Sequence, residues 1–483
     1  MTNHTLLTDF YQLTMMQGYF AAGRHRQRVV FDMFYRENPS GNGFAIMAGL
    51  EQVMDYIDNL RFSDEDLAYL RTQGIFSEDF LAYLADFRFT GSIDAIPEGT
   101  VVFPGEPLVV VTAPIIEAQL IETAMLNIIN HQCLIATKAA RVCHAAKGDA
   151  VLEFGLRRAQ GPDAGIYGAR AAMIGGCAAT SNVLAGQMFD LPIRGTHAHS
   201  WIMSFSDELA AFRAYAAAFP TRCTLLVDTY DTLGSGVPNA IRIFDEMRRA
   251  GTELINHGIR LDSGDFAYLS KESRKMLDAA GHTDAKITAS CDLDEVLIQS
   301  LKLQGAKIDT WGVGTSLITA KDWPAFGGVY KLAAAEDENG CMVPKIKLSE
   351  NPDKVTNPGA KKIYRIYDTE HGKIKADLVT LADEEVNESE KLTLFDPRAP
   401  WKKMHLAPGE YYTKQLLAPI FQSGRRVYTS PAIMEIRAYC VAQQNTLWEE
   451  HRRLINPPAM PVDLSQRLYD LKQRMIYDAR NGH

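Results

Sequence analysis

No stretch of this 483-residue chain reaches the roughly 18 consecutive apolar residues that a membrane-spanning helix requires. Met1 to Phe20 lacks a basic region followed by an apolar one, so it does not read as a signal peptide, and a cytoplasmic address is the expectation. The seven cysteines (Cys133, Cys143, Cys177, Cys223, Cys291, Cys341 and Cys440) include no C-x-x-C pair. Odd in number and scattered, they argue against a disulfide framework and against a structural zinc site. Basic charge is in deficit: 50 Lys and Arg against 59 Asp and Glu leave a net charge of −9. That balance disfavours nonspecific nucleic-acid binding, which depends on a cationic surface. A phosphate-bearing ligand must therefore be met by a local basic pocket. Neither a G-x-x-x-x-G-K-[ST] loop nor a G-x-G-x-x-G fingerprint occurs, so any nucleotide is held by another arrangement. Low-complexity tracts and internal repeats are absent too.

Hydrophobic residues make up 46% and charged residues 23% of the chain, the composition of a globular protein of about two or three structural units. From about 151 to 314 a short β-rich run, a polar or glycine-rich turn and a helical pattern recur. The strand candidates are Val151–Phe154, Ile193–Thr196, Thr224–Asp228, Gly258–Asp262, Lys286–Ser290 and Lys307–Gly312. Helical stretches separate them, at Tyr167–Met188, Ser206–Phe219, Pro238–Ala250, Phe266–Ala280 and Asp294–Gln304. This alternation predicts right-handed βαβ units and a parallel sheet. Chemically capable residues end every strand rather than clustering at one switch point, which favours an α/β barrel over a doubly wound sheet.

Residues 1–120 read as an α/β domain with strands at Val29–Tyr35 and Phe44–Met47 and helices around Glu51–Leu60 and Ser63–Ala85. Short β-like runs after the barrel, at Gly328–Ala334, Pro344–Leu348, Lys362–Tyr367 and Ile374–Leu378, are expected to complete it within 328–428. The barrel is placed at 121–327. A helical segment at 429–483 closes the chain, with Ser430 and Pro431 as a helix-start signal.

Gly195-Thr196-His197-Ala198-His199-Ser200 is the most informative strand end. Two imidazoles at i, i+2 suit metal binding, acid–base work or phosphoryl transfer. A metal-dependent hydrolase would need further ligands, for which Asp228, Asp262 and Asp292 are the candidates. Arg260-Leu261-Asp262 places a cation beside an anion, suited to a planar carboxylate or phosphate or to a salt-bridge network inside the barrel. Arg157 and Arg158 on another strand end strengthen the case for an anionic ligand. Gly312-Val313-Gly314-Thr315-Ser316 offers free N–H groups and hydroxyls as a monophosphate cradle. Asp228 and Asp231 could hold ribose hydroxyls or hydrated Mg²⁺, or could cap the next helix. Tyr11 and Phe154 are aromatics near charge, and an aromatic is most often core.

Five strings in order, Leu6–Met15, Glu153–Gly161, Gly195–Ser200, Ile259–Asp265 and Gly312–Ser316, resemble the nicotinate phosphoribosyltransferase family, with likeness running to about residue 470. The nicotinamide phosphoribosyltransferases share the plan less closely. The resemblance implies a type II phosphoribosyltransferase fold: an irregular α/β barrel with a discontinuous α/β sandwich domain and a C-terminal helical segment. It implies an ATP-coupled transfer from phosphoribosyl pyrophosphate to nicotinate with Mg²⁺, the first step of NAD salvage from nicotinate, in a homodimer with shared active sites. By the same resemblance His199 is the transiently phosphorylated histidine, and Arg260 and Asp262 complete the catalytic group. Phe154 and Tyr11, the latter from the partner subunit, sandwich the pyridine ring. Thr196 and Arg157 contact substrate, Gly314 and Thr315 cradle the 5′-phosphate, and Asp228, Asp231 and Asp262 hold ribose or metal-bound pyrophosphate. Lys361 is a candidate phosphate-binding lysine from the partner, and His197 has no catalytic role. A barrel that binds ligand without turnover is the non-enzymatic alternative.

Overall fold

The computed structural model describes residues 4–351 and 354–482. Two compact units emerge, one formed by Met1–Leu134 with Ala325–His483 and the other by Ile135–Pro324. The boundary falls inside the long helix Glu122–Ala146.

The second unit is built on six parallel strands: β1 (Ala150–Glu153), β2 (Ala179–Thr180), β3 (Thr224–Leu226), β4 (Gly258–Leu261), β5 (Lys286–Ser290) and β6 (Thr310–Val313). Their order across the sheet is β2-β1-β6-β5-β4-β3. The strands are short and largely buried, as expected where crossover helices cover a parallel sheet. Helix Val237–Arg249 buries Val237, Ala240, Ile243, Phe244 and Met247, one face at helical spacing. Aspartates start three of the helices, since Asp207, Asp265 and Asp294 each accept the backbone N–H of the residue three positions on. Inside this unit Glu295 takes Lys138 at 2.7 Å and Arg141 at 3.0 Å, all three side chains nearly solvent-free.

Two expectations change here. Tyr167–Met188 is not one helix: it ends at Ile174, β2 intervenes, and a second helix runs Val183–Phe189. Gly175 and Gly176, the latter at φ 123°, terminate the first helix, and Asn182 caps the second. Ile193–Thr196 is not a ladder strand but a single parallel bridge from Ile193 to Thr180. Pro192 just before it has no N–H to donate, which limits pairing at that point. On the β3 side of the following turn, the His197 ring supplies the contact that a strand would have made, its Nε2 accepting the Leu226 N–H at 3.3 Å.

The first unit interleaves both ends of the chain. Strand Arg28–Phe34 pairs antiparallel with Val109–Pro114 on one side and with Val329–Glu336 on the other. Ser92–Ala95 joins Val109–Pro114 to Ala418–Gln422, giving a seven-stranded sheet. A four-stranded sheet contains Lys361–Asp368 and Ile374–Leu381, and its apolar side chains, Tyr364, Ile366, Ala376 and Leu378, pack with Leu394, Leu406 and Tyr411. The stretch 429–483 is more than helical. Between the helices Ile433–Asn445 and Gln466–Asn481, Val462–Leu464 adds a parallel strand beside Ile374–Leu381.

Candidate active site

The carboxyl ends of β1, β3, β4, β5 and β6 carry the chemistry of the second unit. Arg260 lies on β4 with its guanidinium held on three sides. Its Nε donates to Ser290 Oγ at 2.7 Å, its Nη1 to Thr196 Oγ1 at 2.9 Å and to the His197 carbonyl at 3.3 Å, and its Nη2 to Asp262 Oδ1 at 2.6 Å. The Ser290 hydroxyl donates onward to the same Asp262 oxygen. Partial burial pushes the Asp262 carboxyl upward, but the Ser290 hydrogen bond and the Arg260 charge outweigh it and hold Asp262 below the usual carboxylate range. The second Asp262 oxygen lies 3.6 Å from His199 Nε2.

His199 opens a short helix, His199–Met203, and remains accessible. Its Nδ1 lies 3.0 Å from Thr229 Oγ1. One ring edge is thus fixed by a hydroxyl and the other faces a carboxylate. That arrangement orients an imidazole while leaving it open to ligand. His197 is its opposite: buried against Tyr215, with Nε2 already used and its pKa pushed down to about 4 by burial. A neutral ring whose Nε2 accepts a backbone hydrogen bond cannot offer that nitrogen to a metal. Among the described residues no group of three or more His, Cys, Asp or Glu could hold one. The two-histidine hydrolase reading loses its basis.

Asp228 Oδ2 accepts the Asp262 N–H at 2.8 Å and the Ser263 hydroxyl at 2.6 Å, while its Oδ1 is buried with no partner. Leaving a carboxylate oxygen buried and unpaired costs more than the roughly 1–3 kcal/mol of a neutral polar group, so this oxygen is available to a hydroxyl or a hydrated cation. Asp231 is exposed and caps the following turn, its Oδ1 accepting the Gly234 N–H at 2.8 Å.

Phe154 follows β1 and lies across Gly312. A Cβ at 312 would sit 2.6 Å from the Phe154 ring, so only glycine lets the ring lie there. Under that turn the buried Glu153 carboxylate accepts the Gly155 N–H and the Thr180 hydroxyl. Burial raises Glu153, and those two hydrogen bonds pull the other way. Arg157 and Arg158 are exposed on the next turn. Gly314 precedes the four-residue helix Thr315–Ile318, and the Ser316 hydroxyl beside it is buried without a partner.

Tyr11 and Lys361 belong to the first unit. The Tyr11 side chain, on helix Phe10–Ala21, is half exposed. Lys361 is 2% exposed, and its ammonium donates to Asn357 O at 2.9 Å, to Gly359 O and to Asp32 at 2.7 Å. All three of its donors are in use, leaving none for a phosphate.

Ser290, Thr229 and Ser263 carry no site signal of their own in the sequence. Each is a small hydroxyl beside a charged or glycine-rich strand end, and hydroxyls of that kind carry no pattern of their own.

A parallel α/β unit with a hydrogen-bonded arginine, an accessible imidazole and an aromatic ring at its strand ends has the form of a type II phosphoribosyltransferase. The sequence profile of the nicotinate phosphoribosyltransferase N-terminal domain matches residues 6–130, and that of the C-terminal domain matches residues 360–472. The chain is 48% identical to the Bacillus subtilis nicotinate phosphoribosyltransferase over 477 residues, covering 99% of this chain and 96% of that protein. It is 34% identical to the human one, over 96% of this chain and 95% of the other. The crystal structure of human nicotinic acid phosphoribosyltransferase superposes with a TM-score of 0.85 at 31% identity, over 97% and 99% of the two chains. A nicotinate-nucleotide pyrophosphorylase from Pyrococcus furiosus shares the fold, with a TM-score of 0.68 at 23% identity over 92% and 96%. The chain belongs to the nicotinate phosphoribosyltransferase family.

Proposed function

We propose that this protein forms nicotinate mononucleotide and pyrophosphate from nicotinate and phosphoribosyl pyrophosphate, with ATP hydrolysed to ADP and phosphate, as the first step of NAD salvage from nicotinate. The observation that carries the reading is the linked array Thr196–Arg260–Asp262–His199 beside the Phe154 ring. In the transfer the pyridine nitrogen bonds to the anomeric carbon as the bond from that carbon to pyrophosphate breaks, through a cation-like sugar. Arg260 receives the substrate carboxylate with its remaining Nη2 N–H, Thr196 lies beside it, and Phe154 supplies one face for the ring. Tyr11 of a partner subunit supplies the other face, which makes the active form a homodimer. Gly314, Thr315 and the unpartnered Ser316 hydroxyl receive the 5′-phosphate, Arg157 adds positive charge, and Asp228 with Asp231 takes the ribose hydroxyls.

Oxygen ligands suit Mg²⁺, and the free Asp228 oxygen beside the ionised Asp262 fits a hydrated ion carried by pyrophosphate. Bound there, Mg²⁺ would neutralise leaving-group charge.

In the tautomer whose Nδ1–H donates to Thr229, His199 keeps a lone pair on Nε2. That nitrogen attacks the γ-phosphorus of ATP, the bridging P–O bond breaks to release ADP, and water later cleaves the P–N bond to release phosphate. The test is acid-labile label from γ-labelled ATP. Wild-type protein should incorporate it, and His199→Ala should not, while keeping a weak ATP-independent transfer. Equal incorporation in the variant would refute the assignment of His199.

A further inference from the structure

We infer that Ser290 is a positioning residue for recognition of the substrate carboxylate, setting the Arg260 guanidinium in register with the Phe154 ring. This rests on the nicotinate reading above. Ser290 is the last residue of β5 and is 3% exposed. Its single hydroxyl performs two tasks at once, accepting from Arg260 Nε and donating to Asp262. A guanidinium has five N–H donors. Four are engaged here, one by Ser290, two through Nη1 and one by Asp262. The Ser290 bond is the one at Nε, the atom about which the planar head turns. Without it the head is held only at its outer nitrogens.

The same residue is also the strand neighbour of the glycine on which the Phe154 ring lies. Ser290 and Gly312 are register partners across β5 and β6, and a Cβ at 312 would lie 3.2 Å from Ser290 Cβ on one side and 2.6 Å from Phe154 on the other. One rung of the sheet therefore spaces the cation from the aromatic platform. An aromatic acid needs just that: charge at a fixed distance from a flat ring. The chain leaves the strand immediately afterwards, with Cys291 and Asp292 both at positive φ (89° and 27°), so the hydroxyl is pinned at the final hydrogen-bonded rung.

Ser290→Ala and Ser290→Cys, the second filling nearly the same volume with a poor acceptor, test the inference. Wild-type turnover of nicotinate, measured first, tests the underlying reading separately. Both variants should raise the KM for nicotinate about tenfold to hundredfold, the effect of losing one hydrogen bond to a charged group. The KM for phosphoribosyl pyrophosphate should stay within about twofold. In an Arg260→Lys background, which has no Nε–H to hold, Ser290→Ala should add little further loss. An unchanged nicotinate KM in whichever variant folds, or a Ser290→Ala penalty undiminished in the Arg260→Lys protein, would overturn it.

Discussion

Two histidines two residues apart have opposite fates, and the difference is solvent. His199 stays accessible between Thr229 and Asp262, whereas His197 is buried and neutral with its pKa pushed down to about 4. A histidine depressed from about 6.5 when unfolded to about 4 when folded stabilises the fold fully above the higher value and loses that contribution as pH falls through the lower one. Thermal stability should therefore rise between about pH 4 and 6.5, and His197→Gln should flatten that slope in a melting series. Asp262 behaves differently: held below the usual range, it stays charged across neutral pH, so its own protonation should cost activity only on the acid side of ordinary carboxylate titration. Gly312→Ala drives a methyl into the Phe154 ring. If that ring seats the pyridine, nicotinate KM should rise about tenfold, the worth of one aromatic stack, alongside a stability loss of about 1–3 kcal/mol from overpacking. Charged residues were legible at this scale because a strand end carrying Arg-x-Asp or His-x-His has few uses. Ser290 and Thr229 were not, since a hydroxyl reveals its role only when its neighbours are placed. Lys361 is harder to read for a related reason: the type fits a phosphate, and here its ammonium is buried beside Asp32.

Among elements, the parallel strands were legible from β-rich runs followed by polar turns, and β5 appears with the bounds expected from sequence. The exceptions have local causes. Strand β2 is two residues long, too short for periodicity to register, and it hides inside what reads as one helix. Strand Ala399–Leu406 is largely exposed, so it lacks the apolar alternation that marks a half-buried strand. The second unit depends on a buried charge cluster as well as on its apolar core. Glu295→Ala would leave the buried Lys138 ammonium without its carboxylate and take one partner from Arg141; it should cost about 3–5 kcal/mol, read as a fall of ~10 °C in the melting midpoint. A change under about 1 kcal/mol would mean that these cations find other partners.

At the scale of the molecule, the first unit is stitched from both ends of the chain, with Arg28–Phe34 between Val109–Pro114 and Val329–Glu336. That arrangement was partly legible, because β-like runs resume after the last βα unit and short strands need a sheet to join. Where each boundary falls was less so: the continuous helix Glu122–Ala146 carries no break at the junction. No helix among the described residues is long and apolar enough to cross a membrane. If the homodimer shares its sites, Tyr11→Ala and His199→Ala subunits, each defective alone in ATP-stimulated transfer, should regain it when mixed. Random pairing leaves about a quarter of the sites with neither defect, and steady-state assays of the remixed protein would read that recovery; none would mean that each subunit works alone. The central claim is the choice of substrate. Purified protein with phosphoribosyl pyrophosphate, ATP and Mg²⁺ should be offered nicotinate, nicotinamide and quinolinate in parallel, and mononucleotide measured. The account predicts product from nicotinate well ahead of the other two and stimulated by ATP; no product from nicotinate, or a preference for the amide, would contradict it.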